Sequence, residues 1–86
     1  MTRFTVTWNE HAIAELTSAW LASSDRKRLT DAVTAIDAAL LHDPELKGIE
    51  FYGDRLLVVP PLAVVYVIRQ SDRNVEVLLV WHAPAA

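Results

Sequence analysis

The sequence predicts an α+β domain of order β-α-α-β-β-β, with a helical hairpin packed on one face of a small antiparallel sheet. Three observations carry that expectation. Apolar and polar residues alternate in FTVTW, apolar residues then recur at three- and four-residue spacing, and three β-branched runs follow, separated by turn chemistry. The length of 86 residues suits one domain, so 1–86 is read as a single unit.

The first strand comes from Phe4, Val6 and Trp8 alternating with Thr5 and Thr7. Asn9 is placed to cap a first helix, with Glu10 in the turn where the helix dipole favours an acid. Ile13, Leu16 and Trp20 give that helix its expected apolar stripe. Ser23 and Ser24 break the pattern, and Asp25 opens a second helix striped by Leu29, Val33, Ile36 and Leu40. His42 is expected in its last turn, and Pro44 ends it. So short a link makes the pair an antiparallel hairpin.

Gly48 and Gly53 bracket a connector to the meander DRLLVV, LAVVYVIRQ and VEVLLVWH. Pro60-Pro61 and Ser71-Asp72-Arg73-Asn74 supply its turns. Strict alternation puts Glu76, Leu78, Val80 and His82 on one face of the last strand, and Val75, Val77, Leu79 and Trp81 on the other. Leu62 to Ile68 and Val77 to Trp81 are nonetheless apolar on both faces, although the helices can cover only one. The second face is therefore expected to meet a partner, either a second copy of the chain or a different protein.

Composition removes several functions. With no cysteine there is neither a disulfide framework nor a thiolate metal site, which suits a reducing cytoplasm. Three scattered histidines and the absence of a Gly-rich phosphate loop or HExxH point to no metal and no cofactor. The net charge of −3, from 8 Lys+Arg against 11 Asp+Glu, argues against strong nonspecific nucleic-acid binding. The opening MTRFTVTW lacks the apolar core of a signal peptide, and no segment is long and apolar enough for a membrane span.

Chemistry-bearing residues are few. His82 ends the last strand, where its near-neutral pKa makes it available for catalysis or leaves it a strand-end hydrogen-bonding residue. Arg55 opens the first meander strand, Arg69 faces a weak surface pairing with Glu76 or Asp72, and Tyr66 is expected in the core with its hydroxyl satisfied. Arg26-Lys27-Arg28 sits near a helix N-terminus that disfavours cations, which suits either a solvated turn or an acidic partner.

In order and spacing, the strand FTVTW, the hairpin ending in HDPELKG, the GDRLL entry, the VVYVI strand and the final VLLVWH resemble the RelE/ParE superfamily of bacterial toxins from type II toxin–antitoxin systems, including plasmid stabilisation modules. The resemblance covers nearly the whole chain. It implies a cytoplasmic toxin without cofactors that inhibits growth and binds a cognate antitoxin, which would account for the apolar surplus.

One branch of the superfamily cleaves messenger RNA on the ribosome, another poisons DNA gyrase, and a chain that has lost toxicity would only bind its partner. By resemblance to the nuclease branch, Glu45 would act as general base on a ribose 2′-hydroxyl, Arg55 would stabilise the phosphorane, and His82 would protonate the leaving oxygen. The superfamily's aromatic-arginine pair before the middle strand reads Leu62-Ala63 here, and the aromatic after the terminal histidine reads Ala83. Regular pairing sets Arg55 and His82 a strand length apart, roughly 17–20 Å. The resemblance implies instead that Glu45, Arg55 and His82 face one concave surface.

Overall fold

The computed structural model describes residues 3–83. Strand β1 (Thr5–Trp8) leads into helices α1 (Glu10–Ala22) and α2 (Arg26–Leu40), and a 3₁₀ turn (Pro44–Leu46) follows. Strands β2 (Ile49–Phe51), β3 (Asp54–Val59), β4 (Leu62–Arg69) and β5 (Asn74–His82), with a second 3₁₀ turn (Gln70–Asp72) between β4 and β5, complete the described elements. The expected order is present, with β2 added before the meander. The sheet runs β1-β5-β4-β3-β2, antiparallel throughout except that β1 lies parallel to β5. Among the described residues no helix is long and apolar enough to cross a membrane.

Both helices start on side-chain caps. Asn9 accepts from the Ala12 N–H at 2.7 Å, and Asp25 accepts from the Arg28 N–H at 3.2 Å. Each cap contributes about 1 kcal/mol. Helix α2 buries Leu29, Ala32, Ile36 and Leu40 against Leu62, Val64 and Tyr66 of β4 and Val75, Val77 and Val80 of β5. Val33 of the expected stripe is half-buried at its edge.

Helix α1 departs from its expected stripe. Ala12 is buried, whereas Ile13 and Trp20 are exposed. Helix α1 is tied to β5 by the Glu15 carboxylate, which accepts from the Val80 backbone N–H at 2.9 Å, and the residues it turns to the core are Ala12, Ala19 and the half-buried Leu16. His42 also departs. Helix α2 ends at Leu40, and the Lys47 ammonium, not His42, reaches its last carbonyls, donating to Ala39 O at 3.1 Å and to His42 O at 2.9 Å.

The last strand corrects the alternation. Tyr66 pairs with Val77 but Val65 pairs with Leu79, so Leu78 is an extra residue in a β-bulge. The bulge reverses facing for everything after it. Val75, Val77 and Val80 all point to the helices, His82 joins them, and Trp81 turns to the outer face. On that outer face Ala63 and Val65 are shielded by their own neighbours, while Ile49, Val58, Leu79 and Trp81 remain exposed. The two-sided apolar pattern thus corresponds to a real open apolar surface.

Candidate functional site

The polar side chains of the β3–β4 half converge where the connector meets the sheet. Tyr66 is fully buried, and its hydroxyl proton is shared between Pro44 O at 2.8 Å and Lys47 O at 2.9 Å. Arg55, paired with Tyr66 across the sheet, donates from Nε to Lys47 O at 2.8 Å and from a terminal nitrogen to Gly48 O at 3.1 Å. Burial pushes the Tyr66 phenol above its ordinary value; the neighbouring Arg55 guanidinium opposes the shift and the Glu45 carboxylate adds to it. Glu45 itself is exposed on the 3₁₀ turn.

This arrangement holds a loop. The connector bends sharply through Asp43 at φ 48° and Gly48 at φ 63°, so that its own turn bonds reach Asp43 O and Pro44 O and the carbonyls of Lys47 and Gly48 look to side-chain donors. Arg55 and Tyr66 supply them. The hydrogen bonds that Arg55 makes go to backbone carbonyls, so two of its five N–H groups are held in place by structure.

His82 lies elsewhere. It pairs with Leu62, four residues along β4 from the Tyr66 that faces Arg55, or about 13 Å at the usual strand rise. Two strand spacings across the sheet are added to that separation. The imidazole is exposed beside the C-terminal end of α1, at the rim of a depression of about 330 Å³ lined by Ala19, Ala22, Ser23 and Ser24. The structure therefore gathers Glu45 and Arg55 around Tyr66 and leaves His82 at the opposite end of the strands. Arg69 pairs with Glu76 on the outer face, as an exposed ion pair. No group of acidic or histidine side chains among the described residues is arranged to hold a metal ion.

Sequence reasoning passed over the β2–β3 hairpin. Tyr52 and Gly53 both have positive φ, at 49° and 88°, which makes a tight two-residue turn of the kind that suits twisted strands. The signal was present in IEFYGDR, where Ile49 and Phe51 alternate ahead of Gly53-Asp54. A tyrosine at the first turn position hides it, because Asn or Gly is the expected residue there.

No family model matches the chain, and no curated protein matches it in sequence. Solved structures do match in shape. The chain is similar to one from the RelBE2 toxin–antitoxin complex of Mycobacterium tuberculosis, with a TM-score of 0.74 at 21% identity over 95% of this chain and 93% of that one. A chain of the chromosomal ParDE system of P. aeruginosa gives 0.69 at 13% identity, covering 94% and 97%. The intact RelBE complex of E. coli gives 0.64 at 18% identity, covering 95% and 99%. The chain has a RelE/ParE-like toxin fold.

Proposed function

We propose that this protein is the toxin component of a toxin–antitoxin pair, acting in the cytoplasm, and that it binds a cognate antitoxin and inhibits growth by binding its target. The observation that carries the reading is the open apolar surface around Ile49, Val58, Leu79 and Trp81, on a fold shared with subunits of toxin–antitoxin complexes. An unpartnered apolar face of this kind is unusual on a monomer and normal on a subunit that works in a complex.

Binding is preferred over RNA cleavage because general acid, general base and phosphate-stabilising group must surround one phosphate. Glu45 and Arg55 stand at one end of the strands and His82 at the other, and Arg55 is engaged with Lys47 O and Gly48 O. Gyrase inhibition needs no such convergence.

The test is induced expression of the chain alone and together with the product of the adjacent reading frame. Growth arrest alone, relief on co-expression and co-purification of the two products are expected. The arrest should survive His82→Ala and Glu45→Ala. Site-specific messenger cuts that disappear in His82→Ala would replace binding with the ribosome-dependent nuclease. Absence of arrest under every condition would leave only a partner-binding protein.

A further inference from the structure

Strand β5 owes its register to a single irregularity. Leu78 and Leu79 together stand opposite Val65, so every later residue is offset by one from a regular ladder. The bulged ladder sets Val80 against Val64 in the core and Trp81 against Ala63 on the outer face. There Leu79 and Trp81 are 38% and 39% exposed. His82 faces the helices without filling the space it meets, at the rim of the depression lined by Ala19, Ala22, Ser23 and Ser24. The strand thus leaves an indole in water and an open space beside the core.

A regular ladder is also available to these residues. Continued from the Tyr66–Val77 pair without a bulge, it sets Leu78 against Val65, Leu79 against Val64, Val80 against Ala63 and Trp81 against Leu62. A leucine faces outward opposite Val65 in both ladders, because positions 78 and 79 hold the same residue. Opposite Ala63 valine replaces tryptophan, opposite Val64 leucine replaces valine, and the indole takes the place of His82 at the open depression. The backbone bonds move one residue back. Ala83 N–H donates to Pro61 O at 2.7 Å and Val80 N–H to the Glu15 carboxylate at 2.9 Å. In the regular ladder His82 N–H and Leu79 N–H stand in those positions. The slip adds one methylene at the close-packed Val80 site and removes Trp81 from water, two effects of opposite sign. Alternation normally forbids a slip, because it turns a polar set inward. Val77 to Trp81 are apolar throughout, so here it does not.

We infer that the C-terminal half of β5 exchanges between these two registers, the bulged one displaying Trp81 on the outer sheet face and the regular one withdrawing it against α1. The exchange gates the apolar surface. A partner that grips Leu79 and Trp81 binds the bulged register alone and draws the population towards it. The regular register shows Val80 and His82 instead, which leaves less apolar surface for unwanted contacts. The inference rests on strand geometry and is independent of the toxin reading.

The test is fluorine NMR on the full chain made by cell-free synthesis with fluorotryptophan, the Trp81 signal being assigned by its loss in Trp81→Phe. The change in its shift between light and heavy water reads the exposure of the indole. Aspartate probes the register, because its short charged side chain cannot stay in the core. Leu79→Asp points outward in the bulged ladder and inward in the regular one, so this chain should fold with Trp81 exposed. Val80→Asp is the reverse, so it should fold with Trp81 shielded and its heavy-water shift at least halved. The double variant turns a carboxylate inward in either ladder and should be unfolded. A Val80→Asp chain that is unfolded, or folded with Trp81 still exposed, would overturn the inference. So would a folded double variant, or a Leu79→Asp chain whose Trp81 is shielded.

Discussion

The two ends of the sheet spend their polar groups differently. At the Arg55 end, Tyr66, Arg55 and Lys47 direct six hydrogen bonds shorter than 3.2 Å at the carbonyls of Ala39, His42, Pro44, Lys47 and Gly48, two of them on Lys47 O. At the His82 end, the imidazole and the Ser24 side chain stand at the rim of an open depression. Residues of catalytic type occur at both ends, but at the first they hold a strained connector in place. A residue's chemistry is therefore a poor guide to its role until the partners of its donors are known.

The sharpest way to break the Arg55 end is Gly48→Ala. A Cβ there would lie 2.2 Å from Leu56 O, on a backbone already at φ 63°. Neither the strand backbone nor a left-handed alanine can yield cheaply, so a loss of about 4 kcal/mol is expected in denaturant unfolding. A near-neutral result would show that the connector is not held as described.

Tyr66→Phe should be milder, at about 1.5 kcal/mol, because it removes the hydroxyl's bonds to Pro44 O and Lys47 O while those carbonyls keep the Lys47 N–H and Arg55 Nε as donors and the ring stays in the core. It also carries a pH signature. The folded-state phenol titrates above its ordinary value near 10, so its contribution is fully present below that pH and is lost as pH rises through it. Wild-type stability should therefore fall above about pH 10, and the fall should shrink in Tyr66→Phe. Equal slopes for the two proteins would remove Tyr66 from the account.

Glu15→Ala tests the junction between α1 and β5, and about 1.5 kcal/mol is expected from the unpaired Val80 N–H. At the His82 end, His82→Ala should leave Tm unchanged, since the ring is exposed and makes no hydrogen bond among the described residues. A large drop in Tm would mean that this end is as tightly built as the other.

Much of the fold was legible because it follows local rules. Asn9 and Asp25 are side-chain caps, Leu29, Ile36 and Leu40 are a helical stripe, and the Pro60-Pro61 and Ser71–Asn74 breaks separate strands as turn chemistry requires. The facing of α1 was not legible, because Glu15 reaching the Val80 N–H ties the helix to β5, and that is a contact between residues 65 apart. Strand β2 was hidden for another reason: its short alternation, Ile49 and Phe51, precedes a turn whose first position is Tyr52, where Asn or Gly is the expected residue. For the candidate site, the resemblance supplied Glu45, Arg55 and His82 and implied that they converge, whereas regular strand pairing already set Arg55 and His82 a strand length apart, and the register keeps them apart.

The extra residue at Leu78 acts as a phase shift in a two-state code. Along a strand, odd and even positions carry the instructions inward and outward, and one insertion exchanges their meaning for every later position. Here the exchanged text is Val80, Trp81 and His82. Without the bulge, the tryptophan would lie under the helices and the histidine would stand on the apolar sheet face. An alignment that slides one position across 78 would thus report the same letters while interchanging the two side chains between opposite sides of the molecule. Deleting Leu78 is the physical counterpart of that misalignment, and it offers a route to present His82 on the other face without altering any other residue.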